Sequence, residues 1–454
     1  MAQKKNASEE ILNGVLWKNI LIFALPLAMT NIVQQLFNSV DVAVVGQFCG
    51  SEALAAVGST GCVVNLCITI FSGLAIGANV VLSRMIGENR KGELKRAITT
   101  AMFFSLLAGI IFLTIGEIGA RPLLEIMGTP ENILEQAVLY LRIYIAGSIF
   151  RMVYNFEAAI FRAGGDTKKP MYCLLGAGIL NVFLNLFFVL AFHMGVVGVA
   201  IATVISDAVS AGLLFFLLTK EKSEIRLHIE SIEMEMDVVA QILGNGVPAA
   251  LQGMLFNIAN IIIQSGINAL GADTVAATTV ALNFEVFAYY MIMGFANASM
   301  TYNSQNYGAG NLKRCVQATR WCLFLGMICT YILCGAFVVF RYFFCDLYTS
   351  DPTVIQLAAY RIFVLQLLEG INLLTEVFAA TLRALGKPML PTILAVIFTC
   401  LIRVGWILFI FPLHHTFSTL VLVYPVTWSA TAISMIIAYL WVKRSLFNLS
   451  QSSN

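Results

Sequence analysis

Charge is what this 454-residue chain has least of: Asp, Glu, Lys and Arg make up 11% of it, against 59% hydrophobic residues, and its mean hydropathy is +0.85. So few polar side chains cannot coat a soluble domain of this length, so the solvent to expect is lipid. The chain also has only four histidines, His193, His228, His414 and His415, all in or near predicted loops, with no HExxH pair or clustered metal-ligand pattern. A GxSxG elbow and a P-loop are missing too, which removes the activated nucleophile an integral membrane enzyme needs and the phosphate cradle of a nucleotide-driven pump. The ten cysteines lie mostly inside apolar runs without a CxxC pair and read as small buried hydrophobes. Cys49 and Cys345 fall near one membrane face, where a disulfide is open. A net charge of +2 gives no reason to expect a nucleic-acid partner. No short apolar segment ends in a small-residue cleavage site, so the first apolar helix is expected to stay as an anchor.

What the chain does contain is apolar runs of the length that crosses a bilayer, about 20 residues each. Twelve helices are expected near 16–44, 53–83, 97–118, 132–156, 171–192, 196–219, 238–269, 275–303, 315–339, 353–380, 389–411 and 418–442. Lys and Arg then sort by side: 21 fall at the termini and on the connections after the even-numbered helices, and only Arg121 and Arg341 on the alternate connections. The positive-inside rule places both termini in the cytoplasm.

The helices come in two series. Gly50-Ser-Glu-Ala-Leu-Ala-Ala56 returns as Gly271-Ala-Asp-Thr-Val-Ala-Ala277, Gly73, Ser83 and Gly87 return as Gly294, Ser304 and Gly308, and Arg162-Ala163 and Gly165 as Arg383-Ala384 and Gly386. Pro26 and Pro248 head the matching segments at an offset of 222, and Pro170 and Pro388 close them at 218. An ordered series at a nearly constant offset indicates duplication. Six helices per repeat is an even number, so the repeats share one orientation and are expected to form two parallel six-helix bundles, an N-lobe (15–219) and a C-lobe (237–442), joined by a solvated cytoplasmic linker (220–236). Parallel repeats of this kind are built by transporters, with the site between them.

Polar residues inside the apolar runs mark candidate sites. Asn31, Gln34, Asn38 and Asp41 share one face of helix 1, and Asn257, Asn260, Gln264 and Asn268 share one face of helix 7. An isolated amide would serve helix packing, but two matching stripes favour a water-accessible surface and make Gln34, Asn38, Asn257, Asn260 and Gln264 candidates for lining a substrate cleft. Carboxylates at bilayer depth cost about 2.5–3.5 kcal/mol each, so Asp41, Asp207, Glu285, Glu369 and Glu376 should each meet a partner, a cavity or a proton. Asn372 lies between the last two on their face and joins Glu285 and Glu369 as a cleft candidate. Arg142, Arg151, Arg361 and Arg403 are the bases within the helices, read as snorkelling or structural ion pairs, and Glu157, near Arg162, is also read as structural. Burial favours the neutral form of an acid and a bound cation favours its charged form, so such an acid holds a proton or a cationic ligand, and this exclusivity is the basis of antiport. Asn181 and Asn185 share a helix 5 face at i and i+4, where their amide oxygens complete the coordination of a small cation such as Na⁺ or make a packing contact. Pro26 and Pro248 lie about ten residues into their helices as hinges or static kinks.

These residues resemble the multidrug and toxic compound extrusion (MATE) family over essentially the whole chain, from about Trp17 to Lys443. The resemblance rests on Leu25-Pro26 with Asp41 in helix 1, Gly50 to Gly58, Gly77 to Gly87 ahead of a basic loop, Arg162-Ala-Gly-Gly-Asp-Thr-Lys168 and its echo Arg383-Ala-Leu-Gly-Lys387. It implies an all-α integral membrane protein with a V-shaped pair of six-helix bundles, exporting organic, often cationic compounds by alternating access in exchange for Na⁺ or H⁺, without another cofactor. Asp41 aligns with the family's helix 1 acid, Asn181 and Asn185 with its helix 5 polar pair and Thr203 with a helix 6 hydroxyl, so these four are the expected coupling site, with Na⁺ as the metal they could hold. Pro26 is the expected hinge. Sodium-coupled members carry a helix 7 acid, and here Gln252, Phe256 and Asn257 occupy that region. The protein is expected to work as a monomer on small organic substrates, with the lipid bilayer as its other partner, in the cytoplasmic (inner) membrane of a bacterium. The competing readings are a flippase for a lipid-linked amphiphile, which a wide basic cleft would favour, and, more distantly, a membrane enzyme.

Overall fold

The computed structural model describes residues 7–228 and 234–452; Lys4 and Lys5 of the topology count and residues 229–233 of the linker lie outside them. The described residues contain helices and no strand. A short α1 (Ala7–Asn13) precedes α2 (Leu16–Phe48), α3 (Ser51–Gly87) and α4 (Lys91–Ile126). The fourth span is a pair, α5 (Glu131–Ala146) and α6 (Ser148–Ala163), bent by 41°. α7 (Lys168–Leu186) continues through a π-helical turn (Phe187–Ala191) towards α8 (Gly195–Thr219). The second series is α9 (Met236–Ala269), α10 (Ala272–Gly308), α11 (Leu312–Val339), a short α12 (Arg341–Asp346), α13 (Pro352–Ala384), the span Met389–Leu413 and α16 (Phe417–Ser452). Within Met389–Leu413, α14 (Met389–Ala395) and α15 (Ile402–Gly405) alternate with π-helical segments. Among the described residues, eleven helices are long and apolar enough to cross a membrane, and the bent pair makes a twelfth span. Phe183, Ile332 and Phe409 stand out from their helices, apolar surface that suits hydrocarbon and not water.

The repeated glycines have physical reasons to repeat. Gly50 and Gly271 precede α3 and α10 with φ of +89° and +101°, and Gly165 and Gly386 follow α6 and α13 with φ of +89° and +80°, a region costly for any residue with a Cβ. Gly73 and Gly294 repeat for closeness. A Cβ on Gly73 would lie 2.6 Å from the backbone of Ala250 in α9, and one on Gly294 would lie 2.7 Å from the carbonyl of Ala24 in α2. Gly246 meets Leu74 Cα in the same way at 2.9 Å, so α3 and the first part of α9 pack backbone to backbone, as small residues allow in membranes.

Those contacts exchange helix halves between the repeats. One compact unit is built on Met29–Ala250, the other on Glu9–Ala28 with Leu251–Asn454. The division falls inside α2 and α9, two residues after Pro26 and Pro248, and not at the linker. The first stretch of each of these helices therefore belongs with the other repeat's helices. In the second unit Phe23 packs edge-on against Tyr302 at 5.6 Å, and Arg314 donates to the carbonyls of Ile11 and Gly14 at 3.1 and 2.6 Å, satisfying the open C-terminal end of α1.

The linker differs from the expected solvated tether. Ile225 and Leu227 are buried in the core of the first unit, and Arg96 pairs with Glu235 at 2.6 Å, so its described ends are docked on α4. All ten cysteines are free and Cys345 is fully buried in the core of its unit, so the Cys49–Cys345 disulfide is not formed. Overpacking a tight helix contact costs about 1–3 kcal/mol. Gly73→Ala and Gly294→Ala should each lower the melting temperature of the purified protein in detergent, while Gly176→Ala, where a Cβ meets nothing within 4 Å, leaves it unchanged.

Candidate functional site

The first unit holds a partly open cavity of about 310 Å³ beside α2. Its lining includes Gln34, Asn38 and Asp41 from α2, Tyr140 and Tyr144 from α5, Arg151 from α6, Asn181 from α7, and Thr203 and Asp207 from α8. Asp41 is brought to α7 by Gly178, where any Cβ would collide with the ring of Phe37. The 3.6-residue turn stacks Asn181 and Asn185 on the α7 face that meets Asp41. Asn185 Nδ2 donates to Asp41 Oδ1 at 2.5 Å and to Asn181 Oδ1 at 3.1 Å, while Thr203 Oγ1 donates to Asp41 Oδ2 at 3.3 Å and receives Asn181 Nδ2 at 3.4 Å. Asn185 is completely buried, and its Oδ1 has no hydrogen-bond partner. One carboxylate, amide oxygens and a hydroxyl form a hard-oxygen set suited to a small cation. No group of three or more His, Cys, Asp or Glu able to hold a metal occurs among the described residues.

Beside it stands a built ion pair. Arg151 Nε and Nη2 both reach Asp207 Oδ2, at 2.9 and 2.5 Å, and the Arg151 guanidinium lies 3.8 Å over the Tyr144 ring, an arrangement Arg favours when desolvated. The ionisable acids and bases in the cavity lining are Asp41, Asp207 and Arg151, so with all three ionised it carries one net negative charge.

The second-unit candidates divide into separate groups. Glu285 in α10 takes both Arg361 Nε and Nη2, at 2.7 and 2.9 Å, a bidentate pair from α13. Asn372 donates to the buried Glu369 at 3.1 Å. Asn260 in α9 accepts from Arg403 in α15 at 2.6 Å, and Gln264 donates to Asn268 one turn along at 2.9 Å. Asn257 is half-buried. Arg383 donates to Gln252 at 2.7 Å. One expectation needs correcting. Arg403 is fully buried and forms no salt bridge with an acid among the described residues, so it is neither snorkelling nor ion-paired. Arg142 is half-exposed and pairs with Glu117 at 3.6 Å, as expected of it, in a more open setting than its buried repeat equivalent Arg361. Glu157 is completely buried with neither oxygen hydrogen-bonded, and no ion pair with Arg162 occurs among the described residues.

A family model described as MatE matches residues 26–187 and again 248–407, so the match covers most of the chain and itself falls on both repeats. The chain belongs to the MatE family. Among its relatives, the chain is 25% identical to a probable multidrug resistance protein, YoeA, of Bacillus subtilis, over 96% of each chain. It is 24% identical to an FAD transporter of Shewanella oneidensis, over 78% of this chain and 79% of that one. Among solved structures, the outward-facing conformation of a multidrug resistance MATE family transporter superposes with a TM-score of 0.90, at 22% identity over 99% of this chain and all of that one.

In MatE terms, this is a multi-pass membrane transporter whose fold is the twelve-helix one expected. The α2, α7 and α8 residues singled out in the sequence meet one another in the first unit. Tyr140, Tyr144 and the pairing of Arg151 with Asp207 were not singled out. Tyrosine in an apolar run carries no spacing signal, and Arg151 and Asp207 are 56 residues apart on different helices. Removing one member of a buried ion pair costs about 3–5 kcal/mol, whereas replacing both with apolar residues is close to neutral. Arg151→Met and Asp207→Leu should each strongly lower the melting temperature, and the double variant should recover most of the loss; additive single effects would show that the pair is not coupled.

Proposed function

We propose that the protein is a secondary active antiporter that exports organic compounds in exchange for one Na⁺ or H⁺ taken up at Asp41. The observation that carries this reading is the first-unit cavity with its single net negative charge and an oxygen set around Asp41 that includes an unsatisfied amide oxygen. Turning the Asn185 amide over would present that oxygen to Asp41. A proton on Asp41 or a Na⁺ beside it would then be coordinated by Asn185, Asn181 and Thr203, whereas an empty, ionised Asp41 is held by the amide N–H as seen. Either load cancels the cavity's charge, so the cavity alternates between a negative and a neutral state, the difference that coupling needs. Pro26 would serve as a hinge, since proline removes one backbone hydrogen bond of α2 just before that helix passes from one unit to the other. The relatives' names support organic compounds as cargo. The bacterial relatives support a cytoplasmic membrane, where the protein would act as a monomer.

The test is transport by purified protein in liposomes. Ethidium is expected to move under either an imposed Na⁺ gradient or an imposed pH gradient, and the one that drives it names the ion. Asp41→Asn, which keeps the shape of the side chain and its contact with Thr203, should insert and fold but transport no faster than empty liposomes. Gradient-driven export at the normal rate by that variant would remove Asp41 from the coupling role.

A further inference from the structure

The second unit carries a cationic cluster in the repeat-equivalent place. At the offset of 218 that relates Pro170 to Pro388, Arg403 stands where Asn185 stands and Thr399 where Asn181 stands; at the offset of 222 that relates Pro26 to Pro248, Asn260 stands where Asn38 stands. The helices are equivalent, but the charge is reversed. The guanidinium carbons of Arg361 and Arg403, both fully buried, lie 4.9 and 4.8 Å from the centre of the Tyr424 ring. Glu285 is the carboxylate bonded to this cluster among the described residues, and both of its oxygens go to Arg361. Arg361 Nη1 and Arg403 Nη2 are buried without a hydrogen-bond partner. Among the described residues Arg403 is held by neutral groups: Nη1 on Asn260 Oδ1 at 2.6 Å, Nε on Thr427 at 3.4 Å, and the Phe256 and Tyr424 rings at 4.6 and 4.8 Å. Of these, Asn260 stands half-exposed on the polar face of α9.

We infer that this cluster is a receptor for an oxyanion, the carboxylate, phosphate or sulfonate of an organic substrate, which takes the place of Asn260 as the acceptor for Arg403. A desolvated guanidinium without a counter-charge is unfavourable in hydrocarbon. Its planar fork matches a carboxylate or phosphate in bidentate geometry better than it matches one amide oxygen. Phe256 and Tyr424 supply the apolar walls that receive the body of such a ligand. The assignment rests on the export reading and sharpens it, giving the cargo a negatively charged group.

Trp428 lies 6.0 Å from the Tyr424 ring and Trp406 packs in the same apolar cluster, so tryptophan emission reports on the site. Full-length protein in phosphatidylcholine nanodiscs is titrated with benzyl phosphate and, as the opposite-charge control, with benzylammonium. Saturable binding is expected for the phosphate and not for the ammonium. Asn260→Asp, nearly the same shape, places a fixed carboxylate against Arg403; it should keep or raise the melting temperature and weaken benzyl phosphate by roughly tenfold or more. Arg403→Lys keeps the charge, loses the fork and should weaken it as well. Weaker binding in phosphatidylglycerol nanodiscs would show a lipid phosphate competing for the same receptor, and unchanged binding would assign it to soluble cargo. No saturable binding to the wild type, or equal affinity in Asn260→Asp, would overturn the inference and leave the cluster as a packing post. Because this titration needs no ion gradient, its failure leaves the Asp41 antiport reading standing, and failure of gradient-driven transport leaves this reading to be decided on its own.

Discussion

A charge inside hydrocarbon must be compensated from within the protein, and that constraint organises the interior of both units. Water is not there to solvate an exposed carboxylate or guanidinium, so each one either finds an opposite charge, opens onto a cavity, or remains as a standing demand for a ligand. The protein shows all three outcomes. Arg151 with Asp207 and Arg361 with Glu285 are closed pairs, bidentate or nearly so. Asp41 opens onto the first-unit cavity. Arg403 and Glu157 are buried without a counter-ion among the described residues. Closed pairs have their charge compensated, and the open groups are where the charge of a ligand would have most to offset.

The backbone follows a related rule, since every N–H and C=O in the bilayer must be satisfied within a helix or by a neighbour. Pro26 and Pro248 each break that pattern, and the unit division falls two residues beyond each of them. A helix that lacks one backbone bond is the place where two bodies can be joined with the least stiffness. The tight glycine contacts do the opposite: Gly73 against Ala250 and Gly294 against Ala24 fasten the early part of each crossing helix to the other repeat's helices. Stiff contact and weakened helix are therefore adjacent along the same two chain segments.

Most of the architecture was legible in the sequence because duplication wrote it twice. The repeated glycines report backbone states that nothing else adopts cheaply, and the twelve apolar runs report the bilayer. Asn181 and Asn185 stand out chemically in an apolar run and their spacing fixes a shared face, while their place beside Asp41 was implied by the MATE resemblance. What stayed hidden was which base meets which acid. Arg361 and Glu285 are 76 residues apart, and no helical periodicity relates residues on different helices. Arg142 and Arg361 matched as repeat partners, yet one is half-exposed and the other fully buried, so sequence equivalence survived while environment diverged. The bend between α5 and α6 and the π-helical turns leave the apolar pattern intact and so gave no sign. Ile225 and Leu227 were too short an apolar signal to show that the linker docks.

Divergence between the repeats is the step that converts a symmetrical scaffold into one with direction. Had both copies kept the same polar residues, each unit would offer the same electrostatic choice and an ion in one would have no reason to differ in effect from an ion in the other. Here the helix 5 position beside Asp41 holds a neutral amide, Asn185, and its repeat equivalent holds the guanidinium of Arg403. The first-unit cavity is thereby left with a surplus negative charge, and the cluster around Arg403 with a surplus positive one held, among the described residues, by neutral groups and rings. A cation neutralises the first and would be repelled by the second, and an oxyanion the reverse. On the proposed export reading, opposite polarity at equivalent positions would separate coupling ion from cargo by charge alone, with the same helices in both repeats.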